Sequence, residues 1–199
     1  MIEKFRIHFS RIFVGLLVML VCFSRSVWEN YAPFVATTLF FLGTVLVGIA
    51  SLGRIWCSVY IAGYKTDHLI TQGPYSMCRN PLYFFSLIGA LGVGFASECF
   101  LIPFLILIGF CAYYPFVIKK EEAELLKLHK NEFESYFRKV PRFVPKISFL
   151  MEPEEYITRP VIFRKHTYSA LWFIWLLGIL KIIEMLHDLK ILPTIFYLY

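Results

Sequence analysis

The chain alternates between long apolar runs and short polar segments. A helix needs about 20 mostly apolar residues to cross the hydrocarbon core of a bilayer. Ser97 and Glu98 alone separate the third run from the fourth, so this pair predicts a tight helical hairpin. The pattern predicts about five membrane-spanning helices, in runs 12–23, 34–52, 82–96, 99–118 and 168–186.

The first and last runs are the weakest of the five. The first is short and has a basic lead-in, as a signal peptide has, but no small-residue cleavage site follows it. The last contains Lys181 and Glu184, three positions apart. We expect these two to pair on one helix face, although ionisable groups within a span can also mark a functional site.

Composition supports a membrane protein. The chain is 58% hydrophobic and 17% charged, with a mean hydropathy of +0.65, so it has too little polar surface to coat a globule of 199 residues. The net charge of +6 comes from basic residues between apolar runs, which favours the anionic face of a bilayer over nucleic acid. The five cysteines and five histidines have no zinc-ligand spacing, so we expect no metal site.

Basic residues also predict the orientation. The N-terminal stretch, the loop 54–80 and the segment 119–167 carry 17 of the 20 lysines and arginines. These are alternate sides of a five-span chain, so the N-terminus and both long polar segments should be cytoplasmic. In a bacterium this would be the inner membrane.

The first polar segment, residues 65–83, combines a turn with a basic group. Gly73–Pro74 is a turn signal, and Tyr75 and Arg79 are four positions apart, on one face of any helical turn. Arg79 would lie at the membrane surface, beside the free amides that begin the third span. That is a natural site for an anion. The alternative is an ordinary basic and aromatic interfacial anchor.

The second polar segment follows the fourth span and predicts an amphipathic helix that stops before Pro141. Glu122 falls on the apolar stripe of this helix, so the Glu122 carboxylate should form an ion pair or bind a cation. Glu121 is the preceding residue and lies beside the stripe. The alternative is a surface helix whose glutamates pair with neighbouring lysines or with Arg79. The stripe consists of Leu125, Leu126, His129, Phe133, Tyr136, Phe137 and Val140.

At these residues the chain resembles the isoprenylcysteine carboxyl methyltransferase and phospholipid methyltransferase superfamily, over roughly residues 50–146. It is most similar to the bacterial isoprenylcysteine methyltransferase-like branch, because Asn80 stands where eukaryotic members usually have histidine. The matching motifs, which flank the predicted hairpin, are Gly73-Pro-Tyr-Ser-x-x-Arg79-Asn-Pro-Leu-Tyr83, Glu121-Glu-x-x-Leu, Tyr136 and Val140-Pro-Arg-Phe-Val-Pro145.

The resemblance implies transfer of a methyl group from S-adenosylmethionine to a lipophilic acceptor, either a prenylcysteine-like carboxylate or a lipid head group. Arg79 would orient an anion, Glu122 would meet a cationic part of the cofactor, and Arg142 would face the acceptor. These three are the candidate catalytic residues. Carried over position by position, the candidate cofactor-binding residues are Lys65, Leu69, Gly73, Pro74, Tyr75, Arg79, Asn80, Tyr83, Glu121, Glu122, Tyr136 and Pro141.

The predicted fold class is therefore all-α, an integral membrane helical bundle forming one domain. N-terminal helices (1–64) would precede a methyltransferase core (65–146) and a C-terminal extension with the last span (147–199). Two other functions remain open. One is a sterol-type membrane reductase that uses NADPH. The other is a transporter or scaffold, although the ionisable residues gather at one interface instead of lining span centres.

Overall fold

The computed structural model describes residues 2–62, 64 and 68–199, with side chains from Ile12 onward. The described chain is mostly helical, and the all-α prediction fits it. Prolines begin four of the helices, where a missing N–H costs nothing. The helices are α1 (Ile2–Phe23), α2 (Trp28–Tyr31), α3 (Pro33–Ile61), α4 (Pro74–Met77), α5 (Pro81–Phe95), α6 (Leu101–Lys139), α7 (Pro160–Ala170) and α8 (Trp172–Asp188), with a 3-10 turn at Ile147–Phe149.

Two three-residue strands accompany the helices. Strand β1 (Ser24–Ser26) and strand β2 (Phe196–Leu198) pair in parallel, with Ser24 opposite Phe196. The sequence pattern did not predict this ladder, because three residues are too few for an alternating signal to emerge.

Three helical stretches of the described chain are long and apolar enough to cross a membrane: Pro33–Ile61, Leu101–Lys139 and Pro160–Asp188. Two shorter apolar helices, Ile12–Phe23 and Pro81–Phe95, coincide with the first and third predicted runs. The 15 residues of α5 span only about 22 Å, less than the roughly 30 Å of hydrocarbon. The protein is an integral membrane protein, and the count of five spans stays a prediction.

The described chain divides into two compact units. Unit 1 comprises Met1–Val47, Ala90–Tyr113 and Phe173–Tyr199. Within it, α3 and α5 approach closely at glycines, since a Cβ on Gly92 would lie 2.8 Å from the carbonyl oxygen of Gly43.

Unit 1 also contains the charged residues of the last run. The predicted ion pair forms, with Lys181 Nζ 2.5 Å from Glu184 Oε2, and Glu98 Oε1 joins it at 3.1 Å. Glu98 lies in the loop between α5 and α6. Burial raises the pKa of its carboxyl group, against the opposing effect of Lys181. This cluster links the interior of α8 to the loop between α5 and α6.

Unit 2 comprises Gly48–Gly89 and Tyr114–Trp172. Backbone hydrogen bonds join the segment after α6 to the residues on either side of α4. The amide of Arg79 donates to the Pro141 carbonyl (2.9 Å), and the amide of Gly73 donates to the Met151 carbonyl (2.8 Å). Gly73 has φ +59° and ψ −135°, and a Cβ there would overlap the ring of Tyr60. Only glycine fits this turn.

The predicted amphipathic helix after the fourth apolar run is not one continuous helix. The backbone of Lys130, at φ 41° and ψ −115°, leaves the helical region and breaks α6. The residues of the predicted apolar stripe differ in their exposure on both sides of this break. Phe133 and Tyr136 are buried, whereas Leu126 and Phe137 are 42% and 47% exposed. The residues of the stripe therefore do not share one buried face.

Candidate functional site

Unit 2 contains a cavity of about 980 Å³ that opens to solvent. Its walls come from the end of α3, from the loop before α4, from α4 and the start of α5, and from the polar part of α6. Of the predicted site residues it brings together Leu69, Tyr75, Arg79, Asn80, Tyr83, Glu121 and Tyr136, and the other lining residues are Ile61, His68, Ile70, Leu82, Glu124, Leu125 and Leu128.

Three tyrosines shape this cavity and fix its polar groups. The Tyr136 hydroxyl donates to the Tyr75 carbonyl oxygen at 2.7 Å, which ties α6 to α4. The Tyr83 hydroxyl donates to Glu121 Oε1 at 2.8 Å and so orients that carboxylate. Burial raises the pKa of Tyr75 well above its usual range, which keeps the phenol neutral. The cavity therefore offers flat neutral rings beside an oriented carboxylate.

An arginine–glutamate–arginine cluster lies next to the cavity. The side chains of Arg79 and Glu122 are only 7% and 8% exposed, and Arg79 Nε is 3.2 Å from Glu122 Oε1. These two atoms form an ion pair without hydrogen-bond alignment. Glu122 Oε2 also accepts from Arg142, at 2.5 Å from Nη2 and 3.1 Å from Nε. Two guanidinium groups share one carboxylate, so the cluster keeps an excess positive charge.

Further contacts hold Arg79 in place. Its Nη1 donates to the Phe137 carbonyl oxygen at 2.8 Å, and its guanidinium stacks 3.8 Å from the centre of the Phe137 ring. Burial lowers the pKa of Arg79, while Glu122 raises it and Arg142 lowers it further. An arginine remains charged under such shifts. Arg79 thus presents a fixed cation to the cavity.

The remaining predicted residues lie outside the cavity lining. Glu122 and Arg142 line a second cavity of unit 2. Gly73 and Pro74 form the turn that begins α4, and the Pro141 carbonyl binds the amide of Arg79. Their contacts with a cofactor stay predictions. Lys65 lies outside the described residues.

Several lining residues were not among the predicted site residues, although Leu125 belongs to the Glu121-Glu-x-x-Leu motif. Glu124, Leu125 and Leu128 lie three, four and seven positions after Glu121, so they continue its helix face. That spacing was visible and would have found them. His68 carried no comparable signal, because nothing in the sequence fixes where a loop residue points.

Residues 31–132 match the phospholipid methyltransferase family, and this stretch is just over half of the chain. The chain belongs to the phospholipid methyltransferase family. The predicted resemblance is therefore confirmed. The matched stretch includes Arg79, Tyr83, Glu121 and Glu122, and it ends before Tyr136.

Two relatives that match over most of their length are named as metal resistance proteins. The nickel-cobalt-cadmium resistance protein NccN of Alcaligenes xylosoxydans xylosoxydans is 31% identical over 97% of this chain and 89% of its own length. The cobalt-zinc-cadmium resistance protein CzcN of Cupriavidus metallidurans is 31% identical over 98% of this chain and 88% of its own length. No solved structure matches the chain.

Proposed function

We propose that the protein transfers a methyl group from S-adenosylmethionine to a lipophilic acceptor at the membrane surface. The observation that carries this proposal is the cavity of unit 2, in a member of a methyltransferase family. It brings a fixed arginine, an oriented carboxylate and tyrosine rings around one space. The acceptor is a prenylcysteine-like carboxylate or a lipid head group.

The residues of the cavity fit this methyl donor. When bound, S-adenosylmethionine supplies a methyl group on a positively charged sulfur, and it also carries a carboxylate, an ammonium and an aromatic base. Arg79 brings excess positive charge to the wall and suits the carboxylate. Glu121 and Glu124 suit the cationic groups, and Tyr75 and Tyr83 suit the base.

Methyl transfer to a lipid depends mainly on placement. The reaction is an in-line displacement, so residues contribute by holding the reactants close and aligned. Arg79 is suited to that role because its contacts with Glu122 and Phe137 immobilise it. A carboxylate acceptor needs no base at neutral pH. For an amine acceptor, Glu121 is the group positioned to receive the proton.

We further propose that the methylated acceptor lies in the cytoplasmic leaflet, which in a bacterium is that of the inner membrane. The lysine and arginine bias toward residues 54–80 and 119–167 supports this orientation. The names of NccN and CzcN suggest the setting of cells exposed to divalent metal ions. Methylation of a carboxylate would remove an oxygen ligand that such ions bind. Growth of a deletion strain in nickel and cobalt tests this setting.

A cofactor titration tests the proposal directly. Purified protein is titrated with S-adenosylmethionine, S-adenosylhomocysteine and NADPH by calorimetry. Binding of the first two, and none of NADPH, is expected; NADPH binding alone would favour a reductase. Glu121→Gln should weaken S-adenosylmethionine binding about tenfold, since a charge-assisted contact contributes about 1.5 kcal/mol or more. Glu132→Gln, an exposed change outside the cavity, is the matched control.

The acceptor is found by a second measurement. Protein and methyl-labelled S-adenosylmethionine are incubated with a total lipid extract, and the labelled product is identified by mass spectrometry. Labelling that Glu121→Gln reduces and Glu132→Gln leaves unchanged would support the proposal. Absence of any cofactor binding by the folded protein would refute it.

A further inference from the structure

A second cavity of unit 2 shares no lining residue with the first. It has a volume of about 890 Å³ and combines basic groups with an apolar wall. Its lining residues are Lys119, Glu122, Ala123, Leu126, Phe133, Glu134, Phe137, Arg138 and Arg142.

The break in α6 creates this cavity. Lys119 and Arg138 are 19 positions apart, and a straight helix would separate them by about 28 Å. Both nevertheless line the same space. The segment after Lys130 therefore folds back toward the segment before it, and the cavity forms between the two arms of α6.

The charges in this cavity are unbalanced. Among the residues that the structure describes, neither Lys119 nor Arg138 has an ion-pair partner, and both are exposed. Arg142 shares Glu122 with the buried Arg79, which leaves that cluster positive as well. Glu134 is the one other acidic residue in the described lining. The cavity thus has a net attraction for an anion.

Its apolar wall indicates what kind of anion fits. Phe133 is 2% exposed and forms the buried floor, whereas Leu126 and Phe137 keep 42% and 47% of their surface accessible. Exposed aromatic and aliphatic groups beside basic ones suit an amphiphile, because a small hydrated anion would leave the apolar wall unused.

The position along α6 also matches a lipid head group. Residues 101–118 contain no charged side chain, and Lys119 is the first cation after this apolar stretch. A lysine there lies where a spanning helix leaves the hydrocarbon and meets lipid phosphates.

We propose that this second cavity binds the phosphate head group of an anionic membrane lipid. The phosphate contacts Lys119, Arg138 and Arg142, and the glycerol and upper acyl carbons lie against Leu126 and Phe137. This binding site is separate from the cavity that holds the proposed methyl donor, and it holds whether or not the protein transfers methyl groups.

A lipid titration of the delipidated full chain tests the site. Affinities for dioleoyl phosphatidylglycerol and for dioleoyl phosphatidylcholine in detergent micelles are measured by thermophoresis. At least tenfold tighter binding of phosphatidylglycerol is expected. Lys119→Gln and Arg138→Gln should each weaken it about fivefold, because each removes one basic group near the anionic lipid. The double variant should weaken it more than either single variant, and not by the simple product of the two effects, because both groups contact the same phosphate.

Matched variants and a free anion separate the alternatives. Lys127→Gln and Lys139→Gln remove the same charge from exposed positions of the same helix outside the cavity, and each should change affinity less than twofold. If these controls lose as much affinity for phosphatidylglycerol as the cavity variants do, the effect comes from general surface charge and the proposal is overturned. Equal affinity for the two lipids would also overturn it. Inorganic phosphate that competes at equal concentration would instead assign the cavity to a free anion.

Discussion

Glu122 is the residue whose replacement should affect folding most, because it is the single anion between two guanidinium groups. Its partner Arg142 has a side chain 41% exposed, so that pair contributes at most about 1 kcal/mol. Its partner Arg79 is 7% exposed, and breaking a buried pair leaves a buried charge uncompensated. That loss costs about 3–5 kcal/mol.

The variant Glu122→Gln keeps the size of the side chain and removes the charge. We expect its free energy of unfolding to fall by about 3–5 kcal/mol. For a chain of this length that corresponds to a melting temperature lower by roughly 6–20 °C. The measurement is thermal unfolding in detergent. It is monitored by the reaction of a fluorescent maleimide with the buried cysteine thiols that unfolding exposes.

The double variant Arg79→Met, Glu122→Met is the control. Removing both members of a buried pair is often nearly neutral, so most of the lost stability should return. A coupling energy of at least about 2 kcal/mol is expected from the full mutant cycle. A loss below about 1 kcal/mol in Glu122→Gln would refute this reasoning. It would instead favour the interpretation in which the Glu122 carboxylate serves a ligand.

Three further outcomes test unit 2 by thermal unfolding in detergent, monitored by circular dichroism. Tyr136→Phe removes the donor to the Tyr75 carbonyl oxygen and should cost about 1–3 kcal/mol, because that acceptor is left without its partner; no change would contradict the contact. Gly73→Ala should cost more than about 2 kcal/mol, whereas Gly48→Ala, where a Cβ meets open space, should be neutral or stabilising. Burial raises the pKa of Cys78 to about 12, so this thiol ionises at lower pH in the unfolded chain than in the folded one. The free energy of unfolding should therefore fall between about pH 9 and pH 12. The fall should be smaller in Cys78→Ala.

The sequence predicted the helical class and much of the cavity for physical reasons that can be named. Apolar runs of sufficient length predict helices wherever lipid is the solvent, and α3 and the first part of α6 follow from that alone. Arg79, Tyr83 and Glu121 meet in one cavity because the motifs that contain them flank a short hairpin. Both signals are local in the sequence.

The rest depends on contacts that no local signal encodes. Lys130 is neither glycine nor proline, so nothing in the sequence indicates that α6 breaks there. Glu122 pairs with Arg79, which lies 43 positions before it, and with Arg142, which lies 20 positions after it. Which cations it pairs with depends on how these segments pack, and the sequence contains several other cations that could have been its partners. The wall formed by His68 depends on a loop whose path is set by tertiary contacts.

The ladder between β1 and β2 has a consequence for how the protein is made. Ser24 and Phe196 are 172 positions apart, yet they are neighbours in one sheet. A ribosome therefore synthesises more than 160 further residues after β1 before the partner strand exists. Until then β1 has no strand partner, and unpaired strand edges recruit wrong partners. Because β1 and β2 pair only after residues 196–198 have been synthesised, the interval before that pairing is when insertion machinery or a chaperone has most to protect.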